Sequence, residues 1–348
     1  MQKNILYIGV GAAVLMGLAA TMYYFQVKSN SVPVYVSGQK ADYRSTIPFW
    51  ENQIRTYGGS EAYENFAIAV ENISDGAKHS YAHMFGEALY NVEGPEGFGM
   101  CDTRYQSGCY HQFLGMAFAQ LGLSSVKGFA IQCAEKESKR IPGCSHGMGH
   151  AILSLVGYTR EDLTKALSIC DEDFSFLFGW KGCVDGAIME YNIRDVSSGG
   201  TEDISNARLL TAENRYTPCL SLSDTYQPTC VHELPRWWSL SLFSQSTHPA
   251  DVASTLGTWC QKFTGTLYTS CIQGIGYILS AGKNDVTTLV GLCDDATHDR
   301  PSQLACLYGG ARRYYMDYPK NELLCAHFHL SADETSSCES YATFADQP

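Results

Sequence analysis

Fourteen cysteines, falling into seven regularly spaced couples, constrain this 348-residue chain more than any other feature. The couples are Cys101 and Cys109, Cys133 and Cys144, Cys170 and Cys183, Cys219 and Cys230, Cys260 and Cys271, Cys293 and Cys306, and Cys325 and Cys338. Within a couple the separation is 8 to 13 residues, and successive second members stand 35, 39, 47, 41, 35 and 32 residues apart. Thiolate zinc sites use two-to-four-residue spacings such as CxxC, and none occurs here. The regularity points to one disulfide within each couple, which places the chain in an oxidising compartment.

Each second cysteine opens a similar phrase: GCYHQFLGMAF from residue 108, GCSHGMGHAIL from 143, GCVDGAIMEY from 182, TCVHELPRWW from 229, SCIQGIGYIL from 270 and ACLYGGARRY from 305. Each first cysteine closes a run such as LTKALSIC, in which leucine and alanine recur at three and four residues, the helical period. The repeat is therefore expected to be a helix ending in Cys, a polar loop, and a second helix beginning at Cys. Gly122, Gly157 and Gly282 read as stops for the second helix. Bridging such a short loop contributes about 3 kcal/mol on the chain-entropy model. The phrase AKHSYAHMFGEALYNVEG at 77–94 aligns with GCSHGMGHAILSLVGY at 143–158, with Ala77 in the cysteine position, and a helix over 60–72 precedes it. That makes about eight hairpins, seven of them stapled. Residues 192–218 form a longer polar connection, read as an insertion loop.

Ahead of the array, Ile5 to Phe25 is an uncharged run of 21 residues. As a helix it spans about 31 Å, close to the bilayer core. Tyr23, Tyr24 and Phe25 fit an interfacial aromatic belt. The rival reading, a cleaved signal peptide with a small-residue site near Gly17-Leu18-Ala19, is disfavoured because the apolar run continues past it. The expected organisation is an anchor over 1–27, a tether with Pro33 and Pro48 over 28–58, and the repeat ectodomain over 59–348, held at the cell membrane outside the cytoplasm.

The net charge of -12 excludes a nucleic-acid ligand, which needs a basic face. No GxxxxGK[ST] or GxSxG occurs, so neither a phosphate loop nor a serine-hydrolase elbow is indicated. Histidines are more informative. In a repeat array like-numbered residues fall on one side of successive helices, and two positions after the repeat cysteine stand His79, His111, His146, Asp185, His232, Gln273, Tyr308 and Ser340. His83 and His150 follow His79 and His146 at i+4, which puts both rings of each pair on one helical face. The candidate metal ligands are therefore His79, His83, His111, His146 and His150, with Glu87, one turn on from His83, as a further ligand or catalytic base. Imidazole-rich ligation suits Zn, Cu or Fe. His232, beside Pro235 and Trp237, reads as structural. A carboxylate pair from Asp185, Glu190 and Glu233 is a weaker, glycan-cleaving alternative.

The period and hairpin logic resemble the α/α helical-repeat superfamily, solenoids or closed toroids. The cysteine-paired phrasing of residues 60 to 345 also resembles uncharacterised secreted or membrane-anchored microbial proteins with HxxxH and GCYHG phrases, a resemblance that implies no activity. Gln112 and Glu233 replace the glycine of that phrase. The expected fold class is all-α. The expected function is that of an extracytoplasmic, membrane-anchored protein with a His-rich transition-metal site, as a metal-dependent hydrolase or redox enzyme. The alternative is a non-enzymatic scaffold that binds a protein or envelope polymer.

Overall fold

The computed structural model describes residues 42–136, 143–174, 180–196, 207–246, 248–280, 285–317 and 323–343. The expected anchor at 5–25 and the helix stop at Gly282 lie outside these residues. Among the described residues there are helices and no strand, and no single helix is long and apolar enough to cross a membrane.

The described residues contain fourteen α-helices, in order: α1 (Ile47–Tyr57), α2 (Gly59–Ala69), α3 (Asp75–Glu93), α4 (Gly108–Leu121), α5 (Val126–Lys136), α6 (Gly143–Val156), α7 (Arg160–Phe174), α8 (Trp180–Ile193), α9 (Gln227–Gln245), α10 (Pro249–Cys260), α11 (Gly265–Leu279), α12 (Val286–Ala296), α13 (Arg300–Asp317) and α14 (Ala332–Ala342). The second helices of the hairpins, α3, α4, α6, α8, α9, α11, α13 and α14, form one continuous row in which each packs on the next. Most first helices lie against the outside of that row. Helix α13 also touches the Arg104–Ser107 turn, so the row curls back towards its own start.

All seven disulfides join the cysteines of one couple, with Cα separations of 5.3 to 5.8 Å. Their sulfurs lie in the core, where every cysteine is at most 3% exposed. The expectation that each first cysteine ends a helix holds for the α5, α7, α10 and α12 units but not for three others. Cys101, Cys219 and Cys325 instead follow or sit in single 3-10 turns, Gly94–Met100, Cys219–Ser221 and Leu324–His327. Those segments are too short for a full helix, and the bridge holds them to the inner row.

The tether expectation does not hold beyond residue 42. Tyr43–Thr46 form a 3-10 turn and α1 follows with Pro48 in its first turn, where a missing N–H is tolerated. The reason is aromatic burial: Trp50 is 1% exposed, packed edge-on against Phe66 and Phe85 at 5.2 and 5.6 Å. Helix α1 thus caps the unstapled first hairpin (α2 and α3), doing with aromatic area what the cysteines do elsewhere.

Inner helices approach one another at glycines. A β-carbon at Gly186 of α8 would collide with the carbonyl of His146 on α6, and one at Gly149 of α6 with the carbonyl of Cys183 on α8. The reciprocal contact recurs between α11 and α13 at Gly276 and Gly309, and Gly274 of α11 meets the carbonyl of His232 on α9. With no side chain between the backbones, the residues two after each repeat cysteine are drawn against one another.

Candidate metal centre

The first two inner helices, α3 and α4, bring together His79, His83 and His111. The fourth partner, Asp195, arrives from the segment just after α8, 116 residues along the chain from His79. Arg194 adopts a left-handed conformation (φ 60°) as its N–H caps the carbonyl of Glu190. That reversal turns the next residue, Asp195, back into the row. The four ligand atoms form a compact set. His79 Nε2, His83 Nε2 and His111 Nδ1 stand 3.3, 3.2 and 3.1 Å from Asp195 Oδ2. His83 Nε2 lies 3.2 Å from His79 Nε2 and 3.3 Å from His111 Nδ1. All four residues are buried, none more than 6% exposed.

Second contacts fix which nitrogens carry protons. His79 donates its Nδ1–H to the carbonyl of Tyr105 at 2.9 Å, leaving a lone pair on Nε2. Tyr105, Gln106 and Ser107 all have left-handed backbone (φ 53, 54 and 62°), a strain of order 1–3 kcal/mol per residue that aims this carbonyl at His79. On the far side of His83, Nδ1 meets Gln112 Oε1 at 3.5 Å. Gln112 in turn donates to Glu87 Oε2 at 3.2 Å, and Arg44 donates to Glu87 Oε1 at 2.8 Å. The Nε2 lone pairs of His79 and His83 and the Asp195 carboxylate thus face one point, with His111 Nδ1 beside them, 3.1 Å from Asp195 Oδ2. Burial, and then the neighbouring His150, push the His111 imidazole well below its ordinary pKa, so it is neutral. Burial alone would raise the Asp195 carboxyl, but His83 and His79 hold it well below the usual range.

A second group lies next to the first. One ligand nitrogen from each of His111, His146 and His150 falls within 4.8 Å of the others. His150 donates Nδ1–H to Glu190 Oε2 at 2.9 Å, and His146 donates Nδ1–H to Asp185 Oδ2 at 3.0 Å. Their Nε2 atoms then face each other at 3.0 Å. Glu190 is fully buried and also accepts from Tyr158 Oη at 2.5 Å and from the Val196 N–H at 3.0 Å. Burial alone would raise the Asp185 carboxyl, but His146, with His232 and Glu233, together hold it below the usual range.

The structure thus gathers His79, His83, His111, His146 and His150 into two adjoining groups that share His111. Glu87 is not among the ligand atoms; it stands two hydrogen bonds from the first group, tied to Arg44 and Gln112. Of the carboxylates weighed as a glycan-cleaving pair, Glu190 is committed to His150 and Tyr158. His232, read as structural, instead joins Asp185 and Glu233 in a third group with metal-ligand spacing. His248, His298, His327 and His329 are exposed and belong to none of these groups. Sequence reasoning missed Asp195, which sits outside the repeat register. Its one signal is the length of the 192–218 connection, since long loops inserted in a repeat array carry function more often than short ones.

No protein-family profile matches this chain, nor does any curated protein or solved structure. The packed helical hairpins agree with a helical-repeat type of fold.

Proposed function

We propose that this chain is an extracytoplasmic metalloprotein whose central element is one transition-metal ion held by His79, His83, His111 and Asp195. The observation that carries the reading is the set of five ligand-to-ligand distances of 3.1 to 3.3 Å. A tetrahedron of ligands about 2.0–2.1 Å from a central ion has edges of about 3.3–3.4 Å. Acceptor atoms so close together in a buried site repel one another unless a cation sits between them. Tyr105 and the Gln112–Glu87–Arg44 chain supply the outer contacts that orient metal-bound imidazoles.

Zn, Cu or Fe fits this donor set. Burial of all four side chains favours a structural or redox role for this ion, since hydrolysis needs an open coordination position. The seven disulfides support an oxidising, extracytoplasmic location, and the apolar run at 5–25 supports attachment to the membrane by that segment. The outer helices then offer a surface to a partner protein or envelope polymer.

Elemental analysis of the full chain, purified without chelators, tests the centre. At least one tightly held transition-metal ion per chain is expected, with affinity reduced at least 100-fold in His83→Ala and Asp195→Asn. A wild-type chain that binds neither Zn(II), Co(II) nor Cu(II) more tightly than these variants would replace the metalloprotein reading with the scaffold one.

A further inference from the structure

The His111 ring takes part in both groups, and its second nitrogen has no other task. Its Nδ1 lies in the four-ligand set, 3.1 Å from Asp195 and 3.3 Å from His83. Its Nε2 is buried and has no hydrogen-bond partner among the described residues. A neutral imidazole ligating through Nδ1 carries its proton on Nε2, and a buried N–H without an acceptor costs about 1–3 kcal/mol. The ring stacks on His150, centroids 4.4 Å apart and planes 26° apart, and lies 5.3 Å from the ring of His146. The outward nitrogens of those two rings are already committed, to Glu190 and Asp185, so their Nε2 lone pairs oppose each other at 3.0 Å.

We infer that the centre is dinuclear: His111 bridges two divalent transition-metal ions, one held by His79, His83 and Asp195 and the other by His146 and His150. This rests on the metal reading above and extends it. Binding of the second ion displaces the His111 Nε2 proton to water, and the ring becomes an imidazolate bonded to one ion through each nitrogen. Charge supports the pairing. Asp195, Glu190 and Asp185 contribute three negative charges and the imidazolate a fourth, against four positive charges on two divalent ions.

The two positions differ in access. The first is closed, whereas the His146 side chain is 17% and its partner Asp185 29% exposed. The second ion therefore has three protein ligands and a face towards solvent, the arrangement that leaves room for water or a small anion.

Titration of the metal-free full chain with Cu(II), followed by native mass spectrometry and electron paramagnetic resonance, tests this. Two ions per chain are expected, with a spin signal well below that of two isolated Cu(II) ions because the bridge couples them. His146→Ala and His150→Ala should each bind one ion and show its full, uncoupled signal, with unchanged helical circular dichroism. One ion in the wild type, or two with additive uncoupled signals, would overturn the bridge and leave the first site standing. No bound ion in the wild type would overturn both.

Discussion

At the scale of single residues, the centre depends on which nitrogens are protonated, and that makes it acid-sensitive. His111 and His150 sit in the folded chain with pKa values well below the ordinary 6.5, burial being the larger cause in each. Above that value both states carry neutral rings and the two groups cost nothing. As the pH falls through 6.5 the unfolded chain takes up protons that the folded one refuses, so folding stability drops progressively towards the folded-state pKa. Asp195, depressed in the fold, acts in the same direction at lower pH. The melting temperature of the metal-free protein should accordingly fall steadily between pH 7 and pH 5, and His150→Leu should flatten that slope. A pH-independent melting temperature over this range would contradict the neutral-imidazole assignment. The outer carboxylate offers a second check. Glu190→Gln keeps the shape but weakens the acceptor for His150 Nδ1–H, and should lower affinity at the solvent-facing position by about 10–100-fold, measured by competition with a chromophoric chelator.

Helix-on-helix approach explains why the histidines meet at all. The repeat register visible in the sequence puts His79, His111 and His146 on like positions, and i+4 spacing adds His83 and His150; those five were legible because periodicity is preserved in the chain. The structure shows inner helices resting on a neighbour's carbonyl at Gly86, Gly149, Gly186, Gly274, Gly276 and Gly309. Gly186→Ala should separate α8 from α6 at His146 and destabilise the fold by about 1–3 kcal/mol. Gly291→Ala, on the exposed side of α12 with open space around it, should instead stabilise by about 0.5–1 kcal/mol from helix propensity. Denaturant melts of the two variants check the contrast, and equal effects would remove the close-approach explanation. What the sequence could not show at this scale is irregular backbone. The left-handed Tyr105–Ser107 turn and the Arg194 reversal break no pattern a period can report, and so the carbonyl that orients His79 and the ligand Asp195 went unseen. Helix α1 was hidden for a different reason: Pro48 reads as a breaker, although at the first turn of a helix it costs nothing.

For the whole molecule, the disulfides and the proposed metal centre act over different lengths of chain. Each bridge closes only 8 to 13 residues and holds one hairpin together, and none links one unit to the next. Reopening one bridge should thus act locally. The Cys260→Ser/Cys271→Ser pair should cost about 2–4 kcal/mol and leave metal content unchanged, because α10 and α11 contribute no ligand. Removing Cys101 and Cys109 frees the segment carrying the Tyr105 turn, and should weaken metal binding as well as stability. Calorimetry and metal stoichiometry on both variants separate the two outcomes; equal metal loss in both would mean that the units do not act independently.

Asp195 gives the centre a reach that no sulfur bridge has. An ion that joins it to His79 ties together positions 116 residues apart, so it fastens four consecutive hairpins into a single block. Loop closure over that span removes about 2 kcal/mol more chain entropy than an 11-residue disulfide loop does. An array of this kind would otherwise fray from its ends, unit by unit. With the proposed clasp closed, its first half would come apart as one unit; without the ion, helix packing alone would join those four hairpins.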